Sequence, residues 1–135
     1  MTAWRRALLL VMAGFLSSCS LFDSGVEWRG GPYALLWIDT PENVSLARDE
    51  GEGSWDVLVD STVFAVGWDG RYLVAKQHPE GNRGTTSYFI VDTATRSPQG
   101  AVRETVTGPL TAPAFEQKAM AMALPAFSTV LDHLQ

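Results

Sequence analysis

The stretch "STVFAVGWDGRYLVAKQ", residues 61–77, decides how this chain folds, because it sets Asp69-Gly70 between two runs rich in Val, Phe, Tyr and Leu. Asp-Gly supplies the two positive-φ positions of a type I′ turn, so the segment reads as a tight β-hairpin. With Asp69 and Gly70 at the corner, Trp68 faces Arg71, Val66 faces Leu73 and Phe64 faces Ala75, while Gly67 faces Tyr72 on the other surface. In that register Gly67 leaves room for the Tyr72 ring. Trp68 is then placed for a cation–π contact with Arg71, worth about 0.5–1 kcal/mol on a surface.

Working outward, "YALLWI" (33–38) is a strand ended by the turn-forming "DTPEN", and "VSLA" (44–47) is a short second strand before a charged, flexible loop, "RDEGEG". "SWDVLVD" alternates with period two, as a half-covered strand does. "SYFIVD" (87–92) is apolar on both faces and reads as a central strand, whereas "AVRETVTG" alternates weakly and reads as an outer one. The last 27 residues change character: Thr111 can cap a helix, Pro113 suits its first turn, and Pro125 separates two short helices. Met120, Met122 and Leu124 are expected to pack on the sheet rather than bind a cofactor. Strands followed by helices give an α+β fold: a twisted antiparallel sheet of about five to six strands with two short C-terminal helices on one face. The same strand grammar resembles a β-propeller blade, but 135 residues hold fewer than three blades of about 40–45 residues.

The chain opens "MTAWRRALLLVMAGFLSSC", in which Arg5 and Arg6 precede an uncharged run from Ala7 to Leu16. That is the layout of a signal peptide, and about ten apolar residues fall short of the roughly 20 that span a bilayer. Trp4 stands where the twin-arginine signal would have Ser or Thr, which favours the general secretory route. Leu16-Ser17-Ser18-Cys19 resembles the bacterial lipobox, whose cysteine thiol takes a diacylglyceryl group and becomes the first residue. The resemblance implies a lipoprotein whose acyl chains, palmitate among them, anchor it to a membrane at Cys19. It also gives the chain's one cysteine a use in a compartment where an odd thiol is a liability. Three parts follow: a lipoprotein signal peptide (1–18), a lipidated N-terminus and tether (19–32), and a single globular domain (33–135). An edge strand around Val26–Trp28 is the alternative reading within the tether. Ser20, at the position that sorts lipoproteins of double-membraned bacteria, implies the outer membrane, facing the periplasm.

"FAVGWDGRYLVAKQHP", "YFIVDT" and "GPLTAPAFEQKAMAMALP" together resemble a domain family of unknown function found in small bacterial lipoproteins. Trp68–Pro79, Tyr88–Asp92 and Gly108–Pro125 carry the likeness. It implies a fold and an envelope location, and no catalytic residue.

The whole chain has ten Lys and Arg; without Arg5 and Arg6 the mature part keeps eight against fifteen Asp and Glu, a net charge of −7. This argues against nucleic acid and anionic lipid surfaces, which require a basic footprint, and leaves basic proteins, cations and neutral ligands. No nucleophile stands in a recognisable elbow, and His78 and His133 both read as solvated. Two distant histidines make no zinc site, and Asp49, Glu50, Glu52 and Asp56 lack calcium-loop spacing. No catalytic residue, metal or cofactor is therefore assigned. Lys76, His78 and Arg83, flanking one loop, form the local positive cluster that could receive an acidic patch of a protein partner. The expectation is a lipid-anchored, non-enzymatic binding or assembly component of the envelope. An inhibitor or immunity protein neutralising a toxin or enzyme comes second, and a small envelope hydrolase third.

Overall fold

The computed structural model describes residues 23–96 and 98–135, apart from the side chain of Val102. The segment read as a signal peptide (1–18) and Cys19 lie outside the described residues.

Two antiparallel meanders make up the domain. The first sheet consists of β1 (Ser24–Gly30), β2 (Tyr33–Ile38), β3 (Val44–Gly51) and β4 (Ser54–Val59), hydrogen-bonded in chain order. The second consists of β5 (Val63–Trp68), β6 (Tyr72–Gln77), β7 (Ser87–Arg96) and β8 (Val102–Leu110), with a two-residue β9 (Thr129–Val130) added on the free side of β5. Helix α1 (Ala112–Met122) follows β8, and a single 3-10 turn at Asp132–Leu134 ends the chain. The α+β class holds broadly, within a mostly β molecule. Two expectations need correction: among the described residues nine strands form two sheets rather than five or six forming one, and one α-helix replaces two. Beyond Pro125 the chain runs extended, as β9, because Ser128 N donates to Val66 O (3.1 Å) and Leu131 N to Phe64 O (2.7 Å), extending the sheet. Two further strands are longer or earlier than composition suggests. β1 begins within the segment assigned to the tether, and β3 runs through "RDEG", whose charges sit on a paired strand rather than in a loop.

The core lies between the sheets. Leu35, Val44 and Leu46 point from the first sheet toward Val66, Leu73, Ala75 and Val91 of the second, and Leu131 and Leu134 close the same cluster. Each fully buried Leu or Val contributes about 1.5–3 kcal/mol relative to exposure. The second sheet is covered on its other face too. There Val74 and Ile90 meet Phe115 of α1, with Tyr88, Leu110, Ala119, Leu124 and Phe127 around them. Val74 lies on one face of β6 and Leu73 on the other, so the clustered apolar residues of β6 belong to a strand buried twice over.

The helix begins where the sequence marks it, since Thr111 accepts a hydrogen bond from Ala114 N at 3.4 Å and Pro113 sits in the first turn. It ends at Ala123, in the left-handed conformation, whose neighbour Leu124 donates to Ala119 O. The methionines do not pack as expected: Met120 is 86% exposed, and the sheet-facing positions are Phe115 and Ala119.

The central hairpin is present in a different register. Trp68 pairs with Leu73, Gly67 with Val74 and Val66 with Ala75. Asp69 is the physical cause, because its carboxylate accepts hydrogen bonds from Arg71 N (2.8 Å) and Tyr72 N (2.7 Å), building a four-residue loop in which Gly70 alone takes positive φ. The side chains keep their expected faces, since the slip is by two residues. The expected partners change. Trp68 meets Tyr33 edge-on at 5.2 Å, Arg71 lies over Tyr72 at 4.8 Å, and Gly67 receives the backbone of Ala126 instead of the Tyr72 ring.

Candidate functional site

Lys76, His78 and Arg83 are not brought together as an exposed basic cluster. Lys76 extends over the rings of Phe127 (4.7 Å) and Tyr88 (5.7 Å) on the helix side of the second sheet. His78 is 4% exposed, so the expectation of a solvated histidine is corrected. Its ring stacks on Phe64 at 4.1 Å, Nδ1 lies 2.9 Å from Thr85 O, and Nε2 has no hydrogen-bond partner among the described residues. Arg83 donates to the carbonyls of Gln135 (2.8 Å) and His133 (2.9 Å), fastening the last residues to the loop. Their nearness in sequence reflects a loop that holds the C-terminal segment. His133, by contrast, is exposed as expected.

A different set of charges converges between the two sheets, from β2, β3, β4 and β8. Tyr33 on β2 and Arg48 on β3 are direct cross-strand neighbours, both directed toward the second sheet, and Glu104 of β8 reaches them from the opposite side. Tyr33 Oη donates to Glu104 Oε1 at 2.9 Å, and Arg48 Nη1 donates to Glu104 Oε2. The other Arg48 nitrogen serves Glu50 (2.9 Å) and Asp56 (3.2 Å), the latter being its cross-strand partner on β4. Arg48, Glu50, Asp56 and Glu104, with Leu58 and Arg103, line an open cleft of about 380 Å³.

The electrostatics of this cleft suit charge binding better than proton transfer. Burial works against ionisation of Glu104, whose side chain is 9% exposed, yet hydrogen bonds from Arg48 and Tyr33 hold its carboxyl below the usual range. Burial, and then the bond to Glu104, push the Tyr33 hydroxyl up to about 12. Glu104 therefore stays ionised and Tyr33 neutral around neutral pH, and neither is poised to exchange a proton there. The raised value predicts an alkaline weakness. Because the folded chain holds the Tyr33 proton more tightly, this stabilisation is complete below the ordinary tyrosine value of about 10. It is lost as pH rises from there to about 12. Denaturant titrations from pH 9 to 12 should show the steeper loss in the wild type and a flatter profile in Tyr33→Phe; parallel profiles would contradict the coupling.

The outer face of the first sheet is the second feature. Ser24, Val26, Leu36, Ile38, Val57 and Trp55 all point away from the core by the observed pairing. Arg29 from β1 and Trp55 from β4 meet across the short Ala34 and Ala47, with the guanidinium 5.3 Å from the ring centre and 4.0 Å from Asp49. Beside them lies a shallow groove of about 310 Å³, lined by Ser24, Val26, Leu36, Ile38, Gly53 and Trp55. Helix α1 packs on the second sheet, and among the described residues no helix or strand covers this face.

Sequence reasoning missed both features. Glu104 sits in the weakly alternating "AVRETVTG", and Arg48 in the segment read as a loop; only the shared parity of Glu104 with the apolar Val106 was available as a signal. The acids considered for calcium are dispersed, Asp49 to the outer face and Glu50 and Asp56 to Arg48. Among the described residues no three His, Cys, Asp or Glu side chains form a metal-ligand set, and no helix is long and apolar enough to cross a membrane. Residues 30–127 match a family model described as a protein of unknown function, DUF3997. No curated protein and no solved structure matches the chain.

Proposed function

Since the chain belongs to the DUF3997 family, whose function is unknown, we propose that it is a lipid-anchored, non-enzymatic binding or assembly component of the bacterial envelope, displayed at the outer membrane and facing the periplasm. The anchor rests on Leu16-Ser17-Ser18-Cys19 at the end of a complete signal segment. The binding role rests on the cleft at Arg48 and Glu104. There a guanidinium is shared among three carboxylates, Glu50 and Asp56 keep solvent-facing oxygens, and the proton-bearing groups are held in fixed states. A basic patch on a protein partner is the complement of such a rim, and the net charge of −7 on the mature chain steers association the same way.

Crosslinking in intact envelopes, followed by capture of the tagged protein, should recover one partner, whose binding kinetics then locate the contact. Reversing Glu50 and Asp56 to Lys should lower the association rate about tenfold at low salt, with a smaller effect at high salt, because steering is screened over about 10 Å at 0.1 M. Lys76→Glu, on the far side of the second sheet, should leave the rate within twofold. Loss of association in Lys76→Glu alone, with the Glu50/Asp56 double reversal unchanged, would move the docking surface to the Lys76 side.

A further inference from the structure

We propose that the open outer face of the first sheet lies against the bilayer, with Val26, Ile38, Val57 and Trp55 in the interfacial layer and the Arg48–Glu104 cleft turned away from it. The inference rests on the reading of Cys19 as a lipid anchor, and adds an orientation that the anchor alone does not specify.

The position of the face relative to the anchor comes first. Ser24 opens β1 and is the cross-strand neighbour of Ile38, so the apolar surface begins at the residue where the anchored segment enters the sheet. Ser24 is five positions after Cys19, and a fully extended chain covers at most about 3.6 Å per residue. Ser24 therefore stays within about 18 Å of the acylated cysteine. The headgroup layer is itself about 5–8 Å deep on each side of a bilayer. On so short a leash the face is held at a high effective concentration of lipid, and a small partition free energy per side chain is enough to hold it down.

The chemistry of the face agrees. Ile38 is 52% exposed, Val57 47% and Val26 45%, and all three share one surface with Trp55 and the groove beside it. A tryptophan carrying an arginine over its ring matches the interfacial layer, where an aromatic body meets acyl chains and a cation can rise to the headgroups. Arg29 is paired with Asp49, and Asp23 and Asp39 stand at the tether end, so the face has no basic excess. It fits zwitterionic lipid rather than anionic lipid. The other face of the second sheet offers no equivalent, because Val74 and Ile90 are covered by Phe115 of α1 and its neighbours, and the exposed apolar side chains of that helix are Met120 and Met122. The cleft residues Arg48 and Asp56 project from the opposite face of the same sheet, leaving their rim open to the periplasm when the outer face is down.

The test uses the acylated protein extracted from membranes and reconstituted into phosphatidylcholine–phosphatidylethanolamine vesicles. Ile38→Cys, Val57→Cys and, as the control on α1, Met120→Cys are each labelled with a polarity-sensitive fluorophore, the thiol of Cys19 being occupied by lipid. Nitroxide lipids carrying the label shallowly on the acyl chain should quench positions 38 and 57 at least threefold more than position 120, with blue-shifted emission at the first two. Equal quenching at all three positions in protein that carries acyl label and floats with the vesicles would overturn the orientation while leaving the anchor standing. Absence of acyl label and of flotation would overturn the anchor and the orientation with it. Blue-shifted emission without lipid quenching, rising with protein-to-lipid ratio, would assign the face to a second copy of the chain and overturn the membrane contact.

Discussion

Replacing Gly67 by alanine is expected to unseat the C-terminal layer from the second sheet. A Cβ at this position would overlap Ala126 O and lie 2.9 Å from both Ala126 C and Val74 Cγ2. The first two are backbone atoms, so no side-chain rotation relieves the overlap. The segment they belong to is held by Ser128 N on Val66 O and Leu131 N on Phe64 O, and it carries Phe127 into the aromatic group with Tyr88 and Phe115. Either those hydrogen bonds lengthen or β5 shifts within a close-packed core, at a cost of about 3 kcal/mol, the upper range for overpacking. Thermal unfolding should fall by about 10 °C or more, and the amides of Ser128 and Leu131 should exchange much faster than those of β6. An unchanged melting temperature would mean that Ala126 does not approach β5 this closely. Gly70→Ala is the informative contrast, since nothing lies within 4 Å of its would-be Cβ and only the positive φ of 95° is strained. Its cost should stay near 1 kcal/mol.

Cys19→Ser should convert the protein from membrane-bound to uncleaved precursor or freely soluble material. A serine hydroxyl does not form the thioether, and without it the acyl chains are absent. Each buried methylene contributes about 0.8 kcal/mol, so two or more long chains hold a protein on a bilayer in effect permanently, whereas the exposed side chains of the first sheet give only marginal attachment. Feeding cells a clickable palmitate analogue and fractionating the envelopes should show label and outer-membrane residence for the wild type, and neither for the variant. Ser20 is the reason to expect the outer membrane, since lipoproteins retained in the inner membrane commonly carry Asp there. Wild-type labelling of Cys19→Ser would remove the anchor from this account.

What the sequence determined by itself is local: the apolar runs, their alternation, the Thr111 cap, and the short-range decision that residues 61–77 double back on themselves. Those features depend on neighbours within a few positions, and the structure has β2, β4, β5, β6 and α1 within a residue or two of where they were read. Which strands pair beyond the hairpins depends on groups far apart in sequence. Alternation shows that a strand has a covered face without saying what covers it, and so one sheet could not be told from two. The register of the central hairpin turned on a carboxylate, that of Asp69, bonding the backbone ahead of it, and the fate of the last residues turned on β5 having a free edge. The site followed the same division. Tyr33, Arg48 and Glu104 come from three strands and two sheets, with Glu104 56 positions after Arg48, and only the packing of one sheet on the other brings their charges into a single network. His78 and Arg83 show the converse: their nearness in sequence suggested a positive surface, and folding committed one to the interior and the other to the C-terminal backbone.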